Sequence, residues 1–163
     1  MLPAIQRFCD WLQGTCFSVG LQTRTWVVPA LQSVHIVAIA ALIGASLAYS
    51  LHVLGFSARD QPTPSVAARH LPIVWGALPV LLVSGALLVA AEPARSLLNP
   101  VFAIKMGLLL IASALTLYPQ LSARRSPAFW ERKPLLKGLA GSTLALWVGV
   151  IVAGRLIAYV EAL

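Results

Sequence analysis

Acidic residues are scarce in this chain. Five aspartates and glutamates stand among 163 residues, against twelve lysines and arginines, for a formal net charge of +7. No pair of carboxylates suited to general acid–base work can be picked out of so few. Cys9 and Cys16 are the only cysteines, which excludes a disulfide framework and a four-cysteine zinc site. A phosphate-cradling glycine loop and a nucleophilic triad are missing too. Charge of either sign makes up 10% of the residues, where soluble domains carry roughly 25%. What fills the space is apolar: 59% of the chain is hydrophobic. A monomer in water does not tolerate that much greasy surface, and lipid as the solvent removes the difficulty. The basic balance does not point to nucleic acid. The cations sit in short loops between apolar runs, which is how inner-membrane proteins are oriented.

The charges delimit the spans. No charged residue lies between Arg24 and Arg59, or between Arg69 and Glu92 apart from the titratable His70. Lys105 alone interrupts the run from Arg95 to Arg124, and Arg155 alone the run from Lys137 to Glu161. Each run exceeds the ~20 helical residues that cross a hydrocarbon core. In lipid each must be a helix, because the backbone has to satisfy its own hydrogen bonds. The pattern predicts an all-α membrane protein, an up-down four-helix bundle over residues 26–163 with helices near 27–54, 71–91, 101–120 and 135–160. Pro79 falls inside the second helix and is expected to kink it.

Loop charge gives an orientation. Arg59, Arg69, Arg124, Arg125, Arg132, Lys133 and Lys137 gather in the 55–70 and 121–137 loops, against Arg7, Arg24 and Arg95 at the other end. The positive-inside rule then puts both basic loops in the cytoplasm and both termini in the periplasm of a bacterial inner membrane. Residues 1–25 do not form a signal peptide, since Arg7 and Asp10 interrupt the place of its apolar core. They fit an amphipathic interfacial helix, with Ile5, Phe8, Cys9, Leu12, Cys16 and Val19 on one face and Gln6, Arg7, Asp10 and Gln13 on the other. On such a helix Cys9 and Cys16 are about 10 Å apart, beyond disulfide reach; small apolar face residues are the simpler reading, a metal or redox role the other.

Small residues recur every four positions in two spans: Ala40, Gly44 and Ala48 in the first, Gly141, Ala145, Gly149 and Ala153 in the last. This spacing lets a neighbouring helix, a flat ligand or a second copy of the chain approach closely, helix packing being the simplest use.

Ionisable groups inside lipid are expensive and mark candidate sites. His35 lies about 12 Å of helix rise from Trp26, Lys105 about 7 Å from Pro100, and Arg155 about 8 Å from the end of the fourth helix. All three fall in the half of the bundle nearest the termini, with Gln32 and Glu92 at or just above the same level. Lys105 and Arg155 can also snorkel to headgroups, and a lone histidine can be a plain helix-to-helix hydrogen bond. Shared depth favours a pocket, and two cations there call for an anion, such as a haem propionate, a quinone head group or Glu92. His52 and His70 form a second pair near the basic loops. They are able to ligate a haem or metal, although exposure to headgroups is the simpler reading. His35 and His52, seventeen residues apart, are turned about 100° from one another and do not share a face.

Trp26-x2-Pro29-x2-Gln32-x2-His35-Ile36-x-Ala38-x2-Ala41-x2-Gly44, Gly85, and Asn99-Pro100-x-Phe102-x2-Lys105 together resemble a family of bacterial four-helix inner-membrane proteins without an assigned activity. The resemblance covers most of the chain. More distantly, the pattern is similar to HemJ-type protoporphyrinogen oxidase and to CopD-type membrane domains. In the HemJ type a histidine early in the first helix and a lysine early in the third are essential and haem b is bound; His35 and Lys105 match those positions. Leu51 and Phe56 stand near the places of the arginine and second histidine of that family, and His52 falls out of register. The resemblance therefore implies a haem-b pocket more than the oxidase reaction. It leads to the expectation of a b-type cytochrome-like subunit, at most a membrane oxidoreductase or a part of one. His35 would be a ligand to haem iron, with Lys105, Arg155 and Gln32 at the cofactor and His52 and His70 as weaker candidates. Electrons would pass between the quinone pool and a periplasmic redox protein. The reading of a different class is a non-redox transporter or assembly protein whose His35 and Lys105 line a ligand pocket or hold helices together.

Overall fold

The computed structural model describes residues 2–57, 60–157 and 159. The chain is helical, with no strand among the described residues. Four helices are long and apolar enough to cross a membrane: α3 (Val27–Leu54), α4 (Thr63–Ala91), α6 (Pro100–Arg125) and α7 (Lys133–Leu156). Two short helices, α1 (Leu2–Gln13) and α2 (Cys16–Thr23), precede them, and the five-residue α5 (Pro93–Leu97) joins α4 to α6. The protein is thus an all-α membrane-type bundle.

The helix ends have local causes. α3 stops at Gly55, whose φ of 89° is left-handed and disfavoured for a residue with a Cβ. The Gly55 N–H then reaches His52 O at 2.9 Å and the Phe56 N–H reaches Leu51 O at 2.8 Å, a Schellman closure. At the start of α6, Asn99 Oδ1 accepts from Val101 N–H at 2.9 Å, and Pro100 takes the first helical position, where no N–H is needed. Asn99 is buried and its Nδ2 donates to Ile157 O at 3.3 Å, tying the start of α6 to the end of α7. That is a structural reason for the Asn99-Pro100 pair.

Several expected boundaries move. α4 begins at Thr63, two turns before residue 71, so Arg69 and His70 are helical and the connection is shorter than 55–70. α4 continues through both Pro72 and Pro79, each leaving the carbonyl four residues earlier without its helical N–H. α6 runs past residue 120 to Arg125, a 3-10 turn (Pro127–Glu131) follows, and α7 starts at Lys133. Arg59 and the expected end of the fourth helix beyond 157 fall largely outside the described residues.

The single interfacial helix is also revised. Gly14 and Thr15 break it into α1 and α2, and Thr15 caps α2 by accepting from Ser18 N–H at 3.3 Å. Cys9 is buried while Cys16 is exposed, so the two do not share a face. Ser18, not Cys16 or Val19, is the buried residue of α2. Its hydroxyl donates to Ala90 O at 2.6 Å, one of the last carbonyls of α4 that lacks a helical partner. Phe8 and Trp11 pair outward at 5.8 Å.

α3 packs along α4, α6 along α7, and α3 against α7. α4 and α6 lack such close packing and meet through long side chains, as where Trp75 Nε1 donates to Gln120 Oε1 at 3.0 Å. The core joins Leu42 and Ala45 of α3, Val74, Ala77 and Leu78 of α4, Ala112 of α6 and Trp147 of α7. The small-residue stripes are only partly used. Ala40 is exposed, and a Cβ on Gly44 would meet nothing within 4 Å; α3 buries Ala38, Leu42, Ala45 and Tyr49 instead. On α7, Ala145 is exposed, while Ala153 is buried and Gly149 admits Leu108 of α6, whose Cδ1 lies 3.5 Å from where a Cβ would stand.

Candidate functional site

His35 leaves α3 toward α4. Its Nδ1 lies 2.7 Å from Ser84 Oγ. Ser84 is buried, and its hydroxyl also lies 2.6 Å from Val80 O. A hydroxyl has one proton and a carbonyl has none. If Ser84 donated to His35, its lone pairs would be pressed against the Val80 carbonyl oxygen in a low-dielectric interior. Both short contacts are satisfied only when Ser84 donates to Val80 O and His35 Nδ1–H donates to Ser84 Oγ. In the neutral ring His35 is then the Nδ1–H tautomer, with the lone pair on Nε2. Gly85, next in α4, makes room for the ring: a Cβ there would stand 3.4 Å from His35 Cε1.

Lys105 reaches the same layer from α6. It is half-buried, and its chain lies along Gly154 of α7, with Cε and Nζ each 3.6 Å from where a Cβ would be. Its ammonium is within electrostatic range of His35. No carboxylate among the described residues pairs with it; the ion pair present there is Arg95 Nη1 with Glu92 Oε2 at 2.9 Å, both exposed. All four long helices therefore contribute to one layer: His35, Ser84 with Gly85, Lys105, and Gly154.

Arg155 does not join this layer. It is exposed, with its guanidinium 5.5 Å from the Tyr159 ring centre. Adjacent helical residues differ by about 100°, so turning Gly154 toward Lys105 turns Arg155 away. Gln32 is exposed as well, and Glu92 is engaged with Arg95.

His52 is buried, not exposed to headgroups as the simpler reading had it. Its Nδ1 lies 3.3 Å from Ser57 O and its Nε2 3.3 Å from Thr63 Oγ1, so the ring bridges the end of α3 to the start of α4. His70 Nδ1 lies 3.0 Å from Val66 O on its own helix. The two histidines are thus held by separate partners. Among the described residues no three of histidine, cysteine, aspartate and glutamate cluster as a metal site.

Ser84 and Gly154 went unnoticed in the sequence. Ser84 is the one hydroxyl in the apolar run 71–91, which is the signal that would have found it. A second set of polar contacts lies deeper. Thr116 Oγ1 donates to Ala112 O at 2.8 Å and accepts from Trp147 Nε1 at 3.4 Å, while Ser50 Oγ donates to Ala140 O at 3.3 Å. These satisfy their own donors and hold helices together.

The cysteines differ in reactivity. Burial, and then the Asp10 carboxylate, push the Cys9 thiol above its usual pKa. The folded state therefore disfavours the thiolate, and whatever stability this gives is lost as pH rises, because the unfolded chain ionises first. A maleimide at neutral pH is expected to label Cys16 readily and Cys9 at least about tenfold more slowly until the protein is unfolded. Peptide mapping of the labelled protein checks this; equal rates would place Cys9 on the surface.

Comparison with curated proteins and with solved structures finds no match. A family model does match, over residues 8–160, which takes in α2 to α7, the His35–Lys105 layer and nearly all of the described chain, and the protein accordingly belongs to DUF6644, a family of unknown function.

Proposed function

We propose that the protein is a b-type cytochrome-like membrane subunit that holds haem b at the His35–Lys105 layer. It would pass electrons between the quinone pool and a periplasmic partner. The observation that carries this reading is the His35–Ser84–Val80 hydrogen-bond chain, which in the neutral ring leaves the lone pair on Nε2 of a half-buried imidazole. An imidazole with one nitrogen anchored and the other free would be able to hold haem iron. Lys105, a half-buried cation with no carboxylate partner among the described residues, complements a propionate or a quinone oxygen. Gly85 and Gly154 keep Cβ atoms away from both groups. The donor set would offer haem iron one histidine, His35; His52 and His70 already have partners at the other end of the bundle.

Haem, when bound, would supply one-electron chemistry. The chain would bind it, fix its orientation through His35 and balance its charge through Lys105. The resemblance of His35 and Lys105 to the essential histidine and lysine of the HemJ type would fit the same reading. With the basic loops in the cytoplasm, as the positive-inside rule would have it, the layer would lie in the periplasmic half of an inner membrane, suited to a periplasmic electron partner.

The test is a reduced-minus-oxidised spectrum of protein purified in detergent after haem-replete expression. A Soret band and a sharp α band on reduction are expected. A folded, colourless protein overturns the proposal and favours the transport or assembly role.

A further inference from the structure

The end of the bundle opposite the His35 layer carries a pocket of about 400 Å³ between the loop after α3, the start of α4 and the start of α7. Its wall includes His52, Thr63, Trp130, Lys133, Leu136 and Lys137. Lys133 and Lys137 are four residues apart and so stand one above the other on the same side of α7. Like charges at this spacing repel unless an anion lies between them. Neither lysine has a carboxylate within ion-pair distance among the described residues. Asp60 and Glu131, the acidic residues nearest in sequence, are exposed and do not line the pocket.

The other walls suit an amphiphile. Trp130 is held edge-on by Phe129 at 6.2 Å, and Phe129 in turn by Tyr118 at 5.8 Å, so the indole is a fixed surface. Leu136 is buried and gives the pocket an apolar side. His52, also in the wall, is committed to Ser57 and Thr63. Lys133 is the first residue of a membrane-spanning helix, which sets the pocket at headgroup depth.

We propose that this pocket binds the phosphate of an acidic phospholipid headgroup, with Lys133 and Lys137 on the phosphate and Trp130 and Leu136 against the glycerol and the first acyl carbons. Basic pockets between helix ends take such headgroups. The apolar side and the depth favour a lipid over a free phosphate ion. The site is separate from the His35 layer and stands whether or not haem is bound.

Native mass spectrometry of the detergent-solubilised full chain tests this with phosphatidylglycerol, phosphatidylcholine and inorganic phosphate as probes. Phosphatidylglycerol is expected to bind in preference to phosphatidylcholine. The Lys133→Ala/Lys137→Ala double variant is expected to weaken it by at least about tenfold. An Arg125→Ala/Arg132→Ala variant removes the same charge outside the pocket and is expected to change binding by no more than about twofold. Equal losses in both variants, or equal binding of phosphatidylcholine, reduce the effect to general attraction and overturn the site. Displacement of the lipid by millimolar inorganic phosphate overturns the lipid assignment in favour of a soluble phosphate ligand. All the substituted side chains are exposed, so thermal melting should match the parent protein.

Discussion

His35→Ala protein, expressed with ample haem, is expected to purify as a folded bundle without a Soret band. The ring makes one hydrogen bond to α4, through Nδ1, and the variant keeps the packing of Ala38, Leu42 and Ala45 below it. Folding should survive, because a helix-to-helix hydrogen bond in a membrane bundle is worth about 0.6–2 kcal/mol. Cofactor binding should not survive, because the free Nε2 is lost with the ring. Ser84→Ala separates ligation from positioning. It keeps Nε2 but removes the acceptor that holds Nδ1–H, and second-shell losses of this kind weaken metal binding by about 10–100-fold. Haem titration of the two variants, with thermal melting alongside, is the measurement. Unchanged haem content in His35→Ala would put the ligand elsewhere. Identical affinity in Ser84→Ala and the parent would mean that the hydrogen bond to α4 does not orient the ring. Nitrogen-15 spectra of the imidazole report the tautomer directly, even in haem-free protein.

Trp147→Ala is expected to be the most damaging single substitution for stability, by about 3 kcal/mol, at the low end of the range for removing a large core aromatic. Trp147 is 2% exposed and joins the cluster that unites α3, α4, α6 and α7. In lipid the loss is mostly packing, since apolar contact with lipid replaces apolar contact with protein. The variant also removes the indole N–H that donates to Thr116 Oγ1 at 3.4 Å. Val152, five residues along and 51% exposed, is the control: Val152→Ala should cost less than about 0.5 kcal/mol. Equilibrium unfolding in mixed micelles compares the two. Equal effects would contradict the placement of Trp147 at the centre of the bundle.

Much of the architecture was legible without coordinates. The charge-free runs located α3 to its observed ends and the other three spans within eight residues, because in lipid the hydropathy of a segment and its need to satisfy its own backbone act locally. Gly55 and Asn99-Pro100 mark their helix ends for equally local reasons. The depth of His35 and Lys105 was legible too, since rise along a helix is 1.5 Å per residue wherever the helix sits. The extension of α4 back to Thr63 was hidden, because polar helical turns outside the lipid core carry no hydropathy signal.

Sequence alone determined that this is a membrane bundle of four apolar helices, and at which level its intramembrane histidine and lysine lie. Only the tertiary structure decided which way each helix turns about its axis. That rotation pairs His35 with Ser84 and lays Lys105 over Gly154. It sends Arg155 outward to Tyr159 and closes His52 into the joint between α3 and α4. A span that is apolar on every side has no amphipathic face to announce its rotation. Rotation is set by how side chains of different helices fit together, and one residue's difference turns a group by about 100°.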